Sequence, residues 1–496
     1  MDLVHGLINC LTATNLFFCF VGVLLGTIVG VLPGLGPAST IAILLPLTMR
    51  FDPTASIIML SGLYYGAMYG GSTTSILVNI PGEAASVVTA IDGFKMTQQG
   101  RAGQALWIAA VGSFIAGTFG SVVISFAGPA IAKYALKFGP PEYVGLLLFS
   151  LTMLITLSPD KIKGLTAGVI GMVLATVGLD PLTGTARLNF GVTGMMRGLE
   201  LVPVVVGLFG IGEILAAAQA GATNIYQGKL GKMTPRGHEL RQGLWASVRG
   251  TLVGFFPGLI PGMVPALTSF MAYDVEKRIS KYPEKFGTGV IEGVAGPEAA
   301  NNSTAMAGFV PLLTLGIPTG PSLAIILAAL MMYGVQPGPT LFVQNPLFVW
   351  TVIGSMYVGN VLLLILNLPL VGLWARISLI PYKVLGPIVL AVCLVGAYSP
   401  RNTLFDVWVA LAFGVIGFAM KKADWPLAPL ILGFILGDMF ESSLRQSLSM
   451  SGGSLTIFWQ RPVAAVLIMC TVVFAILSLK LLRRVPRTVL AEDDKI

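Results

Sequence analysis

Apolar runs follow one another along almost the whole chain, and none shows the two-residue alternation of a half-buried strand. Runs such as "LFFCFVGVLLGTIVGVL" (16–32) and "VAAVLIMCTVVFAILSLKLL" (463–482) are long and continuous. A membrane β-barrel would show short alternating segments of about 10 residues instead. The pattern predicts an all-α polytopic membrane protein with about twelve transmembrane helices. The spans are expected near 16–32, 54–69, 103–127, 142–158, 163–179, 199–218, 243–260, 347–373, 380–398, 403–420, 427–440 and 462–482. Shorter apolar pieces lie between them, near 35–48, 72–80, 304–316 and 321–334.

Between several of these runs the chain breaks on proline and glycine. Proline removes a backbone donor and glycine loosens a helix, so such pairs end helices. In lipid each freed N–H or C=O costs several kcal/mol, so a break survives only inside protein or beside a watery cavity. Four breaks are expected: Pro33-Gly34, Ile80-Pro81-Gly82, Pro257-Gly258 and Ile317-Pro318.

These breaks occur in related surroundings. "GTIVGVLPGLGP" (26–37) matches "GTLVGFFPGLIP" (250–261) at 8 of 12 positions, at an offset of 224 residues. "NIPG" (79–82) corresponds to "GIPTG" (316–320), with an offset 13 residues longer. The chain therefore reads as two related halves. Residues 1–220 are expected to form a first membrane repeat, 221–243 a cytoplasmic linker and 244–460 a second repeat. Residues 461–496 would supply a final helix and a basic cytoplasmic tail. Lys229, Lys232, Arg236 and Arg241 in the linker, and Lys480, Arg483, Arg484 and Arg487 in the tail, place both inside by the positive-inside bias. The first 49 residues carry no Lys or Arg, which places the N-terminus outside and argues against a signal peptide there. The halves would then be inverted, with re-entrant or broken helices at the transport site, as in many secondary transporters.

Composition agrees. Of 496 residues 55% are hydrophobic and 10% charged, with mean hydropathy +0.85, against about 25% charged in soluble domains. The net charge of +8 lies between and after the spans, the footprint of loops on an anionic leaflet, and no basic block suits nucleic acid. Cys10, Cys19, Cys393 and Cys470 lack metal or redox spacing, and His5 and His238 lie outside the spans. No Walker loop is present, so energy must come from an ion gradient or another protein.

The breaks suggest a ligand. A half-helix N-terminus offers free N–H groups and about half a positive charge, which suits a carboxylate or phosphate. Ser72, Thr73, Thr74, Ser75 and Asn79 flank one break, and Asn301, Asn302, Ser303 and Thr304 precede another. Their oxygens, with freed carbonyls, suit a small hard cation such as sodium. Each has a plainer reading, since hydroxyls in membrane helices commonly bond a neighbouring helix. Gly22, Gly26 and Gly30 read as close-packing positions. Asn360 and Asn367 share a face suited to an interhelical bond or a substrate contact. Glu213 is a weaker proton or cation candidate, and Asp438, Glu441 and Arg445 have the spacing of a helical ion pair.

"GVLPGLGPASTIAILLPLT" (30–48), "YYGAMYGGSTTSILVNIPGEAASVVTAIDGF" (64–94), "EGVAGPEAANNSTAMAGFVPLLTLGIP" (292–318) and "GVQPGPTLF" (334–342) carry a resemblance. They resemble signature segments of the large membrane subunit of the tripartite tricarboxylate transporters, the TctA family. The resemblance implies a multi-pass permease of the bacterial inner membrane. It implies two partners, a periplasmic solute-binding protein and a small membrane subunit. It also implies symport of citrate-like tricarboxylates or related dicarboxylates with sodium ions or protons, and no other cofactor or structural metal. The motif-bearing positions match at Pro33, Gly34, Gly36, Pro37, Gly70, Gly71, Ser72, Thr73, Asn79, Pro81 and Gly82. In the second half they match at Pro297, Glu298, Asn301, Asn302, Gly316 and Pro318. Thr319 stands where the first half has a glycine. An intramembrane lipid-modifying enzyme would need a nucleophile–base pair or a carboxylate–metal cluster, for which the chain has few candidates. A channel or structural subunit is the remaining alternative. The oligomeric state stays open, a homodimer included.

Overall fold

The computed structural model describes residues 2–32, 36–79, 82–158, 160–180, 183–218, 231–235, 237–370, 373–374 and 382–481. Pro33, Gly34, Ile80, Pro81, most of the linker and the basic tail beyond 481 lie outside them. In the first half, α1 (Asp2–Cys10) leads into α2 (Ala13–Val31) and, past the first break, α3 (Pro37–Thr48). Next comes α4 (Pro53–Val78), started by Asp52, whose carboxylate accepts from the N–H groups of Thr54 and Ala55. A turn at 84–86 precedes α5 (Val87–Gln98), followed by α6 (Ala102–Ala135), α7 (Pro140–Leu157) and α8 (Lys161–Ala175). A two-residue ladder, β1 (Gly178–Leu179) with β2 (Ala186–Arg187), caps this end. Then α9 (Leu201–Val205) widens into a π-turn and resumes as α10 (Gly212–Ala217).

The second half begins with α11 (His238–Gly258) and α12 (Pro265–Ile279) around the third break. It continues through α13 (Glu292–Ala307), α14 (Phe309–Leu315), α15 (Pro321–Met332), α16 (Leu341–Gln344) and α17 (Pro346–Asn367). The last helices are α18 (Tyr382–Tyr398), α19 (Leu404–Lys422), α20 (Leu427–Met450), α21 (Ile457–Gln460) and α22 (Pro462–Leu481). Among the described residues, α2, α6, α17, α19 and α20 are long and apolar enough to cross a membrane.

Small residues set how these helices meet. Gly22, Gly26 and Gly30 of α2 lie against the backbone at Met59, Leu63 and Ala67 of α4, so the two helices run parallel. Gly250, Gly254 and Gly258 of α11 lie likewise against Gly296, Ala300 and Thr304 of α13. An added Cβ at Gly30 or Gly254 would strike the facing backbone. Close approach of this kind is how membrane helices gain packing energy without a hydrophobic drive between them.

The second and fourth breaks share a geometry. α4 ends on Asn79 at φ 58° and α14 ends on Gly316 at φ 73°, both left-handed. That conformation suits glycine or asparagine at a helix end. Proline is the first residue of α3, α12 and α15, where its fixed φ favours a restart and its missing N–H removes nothing. Within the second half the breaks touch: the Gly262 N–H donates to the Thr319 carbonyl at 2.9 Å.

Candidate functional site

The polar centre of the core is the carboxylate of Glu298, on α13 and 0% exposed. Four neutral donors from four helices converge on it. Oε2 accepts from the Ser72 hydroxyl of α4 and from the Thr89 hydroxyl of α5 at 3.1 Å. Oε1 accepts from the Ser113 hydroxyl of α6 at 3.3 Å and from Asn302 Nδ2 at 3.2 Å. Asn302 Nδ2 also lies 2.7 Å from the Ser113 oxygen. No Lys, Arg or His of the described residues pairs with Glu298. Donors on both oxygens are what an ionised carboxylate requires in a dry interior.

A second carboxylate adjoins this one. Asn301 Nδ2 donates to Glu83 Oε1 at 2.8 Å, bridging the segment after α4 to α13. Asn301 is fully buried, and its Oδ1 meets no hydrogen-bond partner among the described residues. Gly71 leaves the room that the Glu83 side chain occupies, and Gly82 sits against the carbonyl of Gly30. Asn79 is exposed beside them.

A cavity of ≈ 10 Å³ opens beside Glu298, lined by Tyr69, Ser72, Thr73, Ser113 and Asn367 with Leu106, Ala109 and Ala110. It has room for about one water-sized body and none for a tricarboxylate. Tyr69 donates to Asn360 Oδ1 at 2.8 Å, and Asn360 Nδ2 donates to the Phe114 carbonyl at 2.9 Å. Asn360 therefore ties α17 to α4 and α6.

The expected residues divide between two surroundings. Ser72, Asn301 and Asn302 bond the carboxylates, and Thr73 lines the cavity. Thr74 and Ser75 donate to the Gly71 carbonyl at 3.3 and 3.1 Å, within their own helix, and the Ser75 hydroxyl also bonds Ser86 of the following turn at 2.8 Å. Ser303 donates to the Thr251 carbonyl at 2.7 Å and Thr304 to the Gly254 carbonyl at 2.9 Å, tying α13 to α11. Gly36 caps α3 with nothing within 4 Å of its Cβ direction. Pro257 and Gly258 form the last turn of α11, while Pro318 and Thr319 are buried in the break before α15. Glu213 pairs with Lys421 at 2.6 Å and Glu441 with Arg445 at 2.6 Å. Glu83 has no place among the expected ligands, Asn367 is expected as either an interhelical bond or a substrate contact, and Glu298 has a motif position without a role. An acid within an apolar segment was the available signal for both glutamates.

The model of the tripartite tricarboxylate transporter TctA family matches residues 16–432. The chain belongs to the TctA family. An uncharacterized 52.8 kDa protein in the TAR-I ttuC' 3'region of Agrobacterium vitis is 45% identical over 479 residues, 94% of each chain. An uncharacterized protein in the TAR-II ttuC' 3'region of the same organism is 44% identical over 246 residues, 49% of this chain and 100% of its own. No solved structure matches. This TctA protein is therefore a multi-pass membrane protein of a transporter family, and the family works with a periplasmic binding protein and a small membrane subunit.

Proposed function

We propose that this TctA protein is the permease subunit of a binding-protein-dependent symporter of the bacterial inner membrane. It imports citrate-like tricarboxylates or related dicarboxylates, driven by a sodium or proton gradient. A periplasmic solute-binding protein delivers the anion, and a small membrane subunit completes the assembly. About twelve spans in two inverted halves, joined by the 221–243 linker, carry the site between their broken helices. The observation that carries this reading is family membership across residues 16–432. The matched left-handed ends at Asn79 and Gly316, and the parallel α2–α4 and α11–α13 pairs, support the repeat. Paired interruptions are the expected place for substrate in such transporters.

The test is uptake of a radiolabelled panel of di- and tricarboxylates into proteoliposomes holding the complex with its binding protein. Sodium and proton gradients are imposed separately. Saturable uptake under one gradient is expected. Folded complex that takes up no carboxylate under either gradient would remove the proposal.

A further inference from the structure

We infer that the cavity between Glu298 and Asn367 is the binding site of a small monovalent cation, sodium in size, that travels with the substrate. This rests on the symport reading above and adds the ion's ligands to it. Three observations meet here. Glu298 is fully buried, and all four of its donors are neutral. A carboxyl buried without a counter-charge takes up a proton or a cation, and none of the described residues supplies the charge. Beside it lies a cavity of ≈ 10 Å³, about the room one water-sized ion needs. On the cavity's lining stands Asn367, 5% exposed, whose Oδ1 accepts no hydrogen bond among the described residues.

Asn367 anchors its amide through Nδ2, which donates to the Leu363 carbonyl at 2.9 Å, leaving the oxygen as the free end. With the Glu298 carboxylate and the oxygens of Ser72, Thr73 and Ser113, it completes an all-oxygen set. Hard cations take such sets. One carboxylate balances one positive charge, which favours a monovalent ion over a divalent one. The same ion explains how an anionic substrate could approach Glu298 and Glu83. Like charges in a low-dielectric interior repel, and a cation between them reverses the sign.

The experiment measures ²²Na⁺ binding to the purified full-length protein in potassium buffer, without carboxylate, alongside the sodium dependence of its Tm. Wild type is expected to bind saturably and to gain thermal stability with sodium. Asn367→Ala, which touches no hydrogen bond of Glu298, is expected to weaken binding at least tenfold. Glu298→Gln is expected to abolish it. Thr73→Val, isosteric and on the same lining, serves if either variant misfolds, with at least a threefold loss expected. Folded wild type without saturable binding would overturn the site, as would binding unchanged in the folded variants. The two proposals separate cleanly: carboxylate uptake without sodium binding sinks only the cation site. Sodium binding without carboxylate uptake keeps the cation site but sinks the transport reading and, with it, the ion's travel with the substrate.

Discussion

At the scale of single residues, two kinds of hydroxyl occupy the same helices. Ser72 donates to Glu298, whereas Ser303 donates to a backbone carbonyl of α11. Ser303→Ala removes an interhelical bond, worth about 0.6 kcal/mol on average in membrane proteins. The expected result is a small drop in Tm in detergent. Ser72→Ala removes a donor from a buried carboxylate, and bonds to charged groups are worth about 1.5–3 kcal/mol. Its expected result is at least a tenfold fall in carboxylate uptake at matched expression. Equal effects of the two variants on uptake would show that the Glu298 cluster is not special. The sequence offered the hydroxyl-rich stretches but not this division. Three of the four donors to Glu298 lie 226, 209 and 185 residues away along the chain, so only the fold brings them together.

At the scale of elements, the breaks after Gly258 and at Ile317-Pro318 were legible and the helix boundaries were not, while Pro33, Gly34, Ile80 and Pro81 lie outside the described residues. The pattern placed a span at 54–69 and a separate apolar piece at 72–80, but 54–69 and 72–78 belong to the single helix α4. Thr74 and Ser75 return their hydroxyls to the Gly71 carbonyl, Ser75 also reaching Ser86, so polar residues that read as an interruption are accommodated inside the helix. The true interruption begins at Asn79. Gly316 and Asn79 hold equivalent left-handed ends, which makes a paired prediction. Gly316→Val forces a β-branched residue to φ 73° and is expected to destabilise the protein by about 1–3 kcal/mol. Asn79→Gly is expected to be neutral or slightly stabilising, because glycine enters the same region freely. Thermal unfolding of both variants checks this. A harmless Gly316→Val would mean that the turn after α14 is not held in that conformation.

At the scale of the whole molecule, the directions of the helices fix which ends share a face. Arg101 at the start of α6 pairs with Glu239 at the start of α11 at 2.7 Å. Lys421 at the end of α19 pairs with Glu213 in the first turn of the six-residue α10, and Lys163 at the start of α8 donates to the Ala423 carbonyl at 2.7 Å. Arg101 and Glu239 lie beside the described part of the linker, where Gly231 meets the Gly100 carbonyl, and α10 is the last described helix before it in the chain. At the other end of α8 and α20, Arg187, Asp180, Glu441 and Arg445 form a second charged network with contacts of 2.6–3.7 Å. If the basic linker is cytoplasmic, that network and the loop between α20 and α21 face the periplasm. Single cysteines test it: Lys232→Cys on the linker face and Leu455→Cys in the far loop, both at exposed positions. A Cys470→Ala background removes the one native thiol that is not buried. In right-side-out vesicles an impermeant maleimide is expected to label the Leu455→Cys protein at once. The Lys232→Cys protein should label only after permeabilisation. The reverse pattern would invert the orientation. Labelling of both from one side would mean that an odd number of crossings does not separate them, and the count of spans in the second half would have to change.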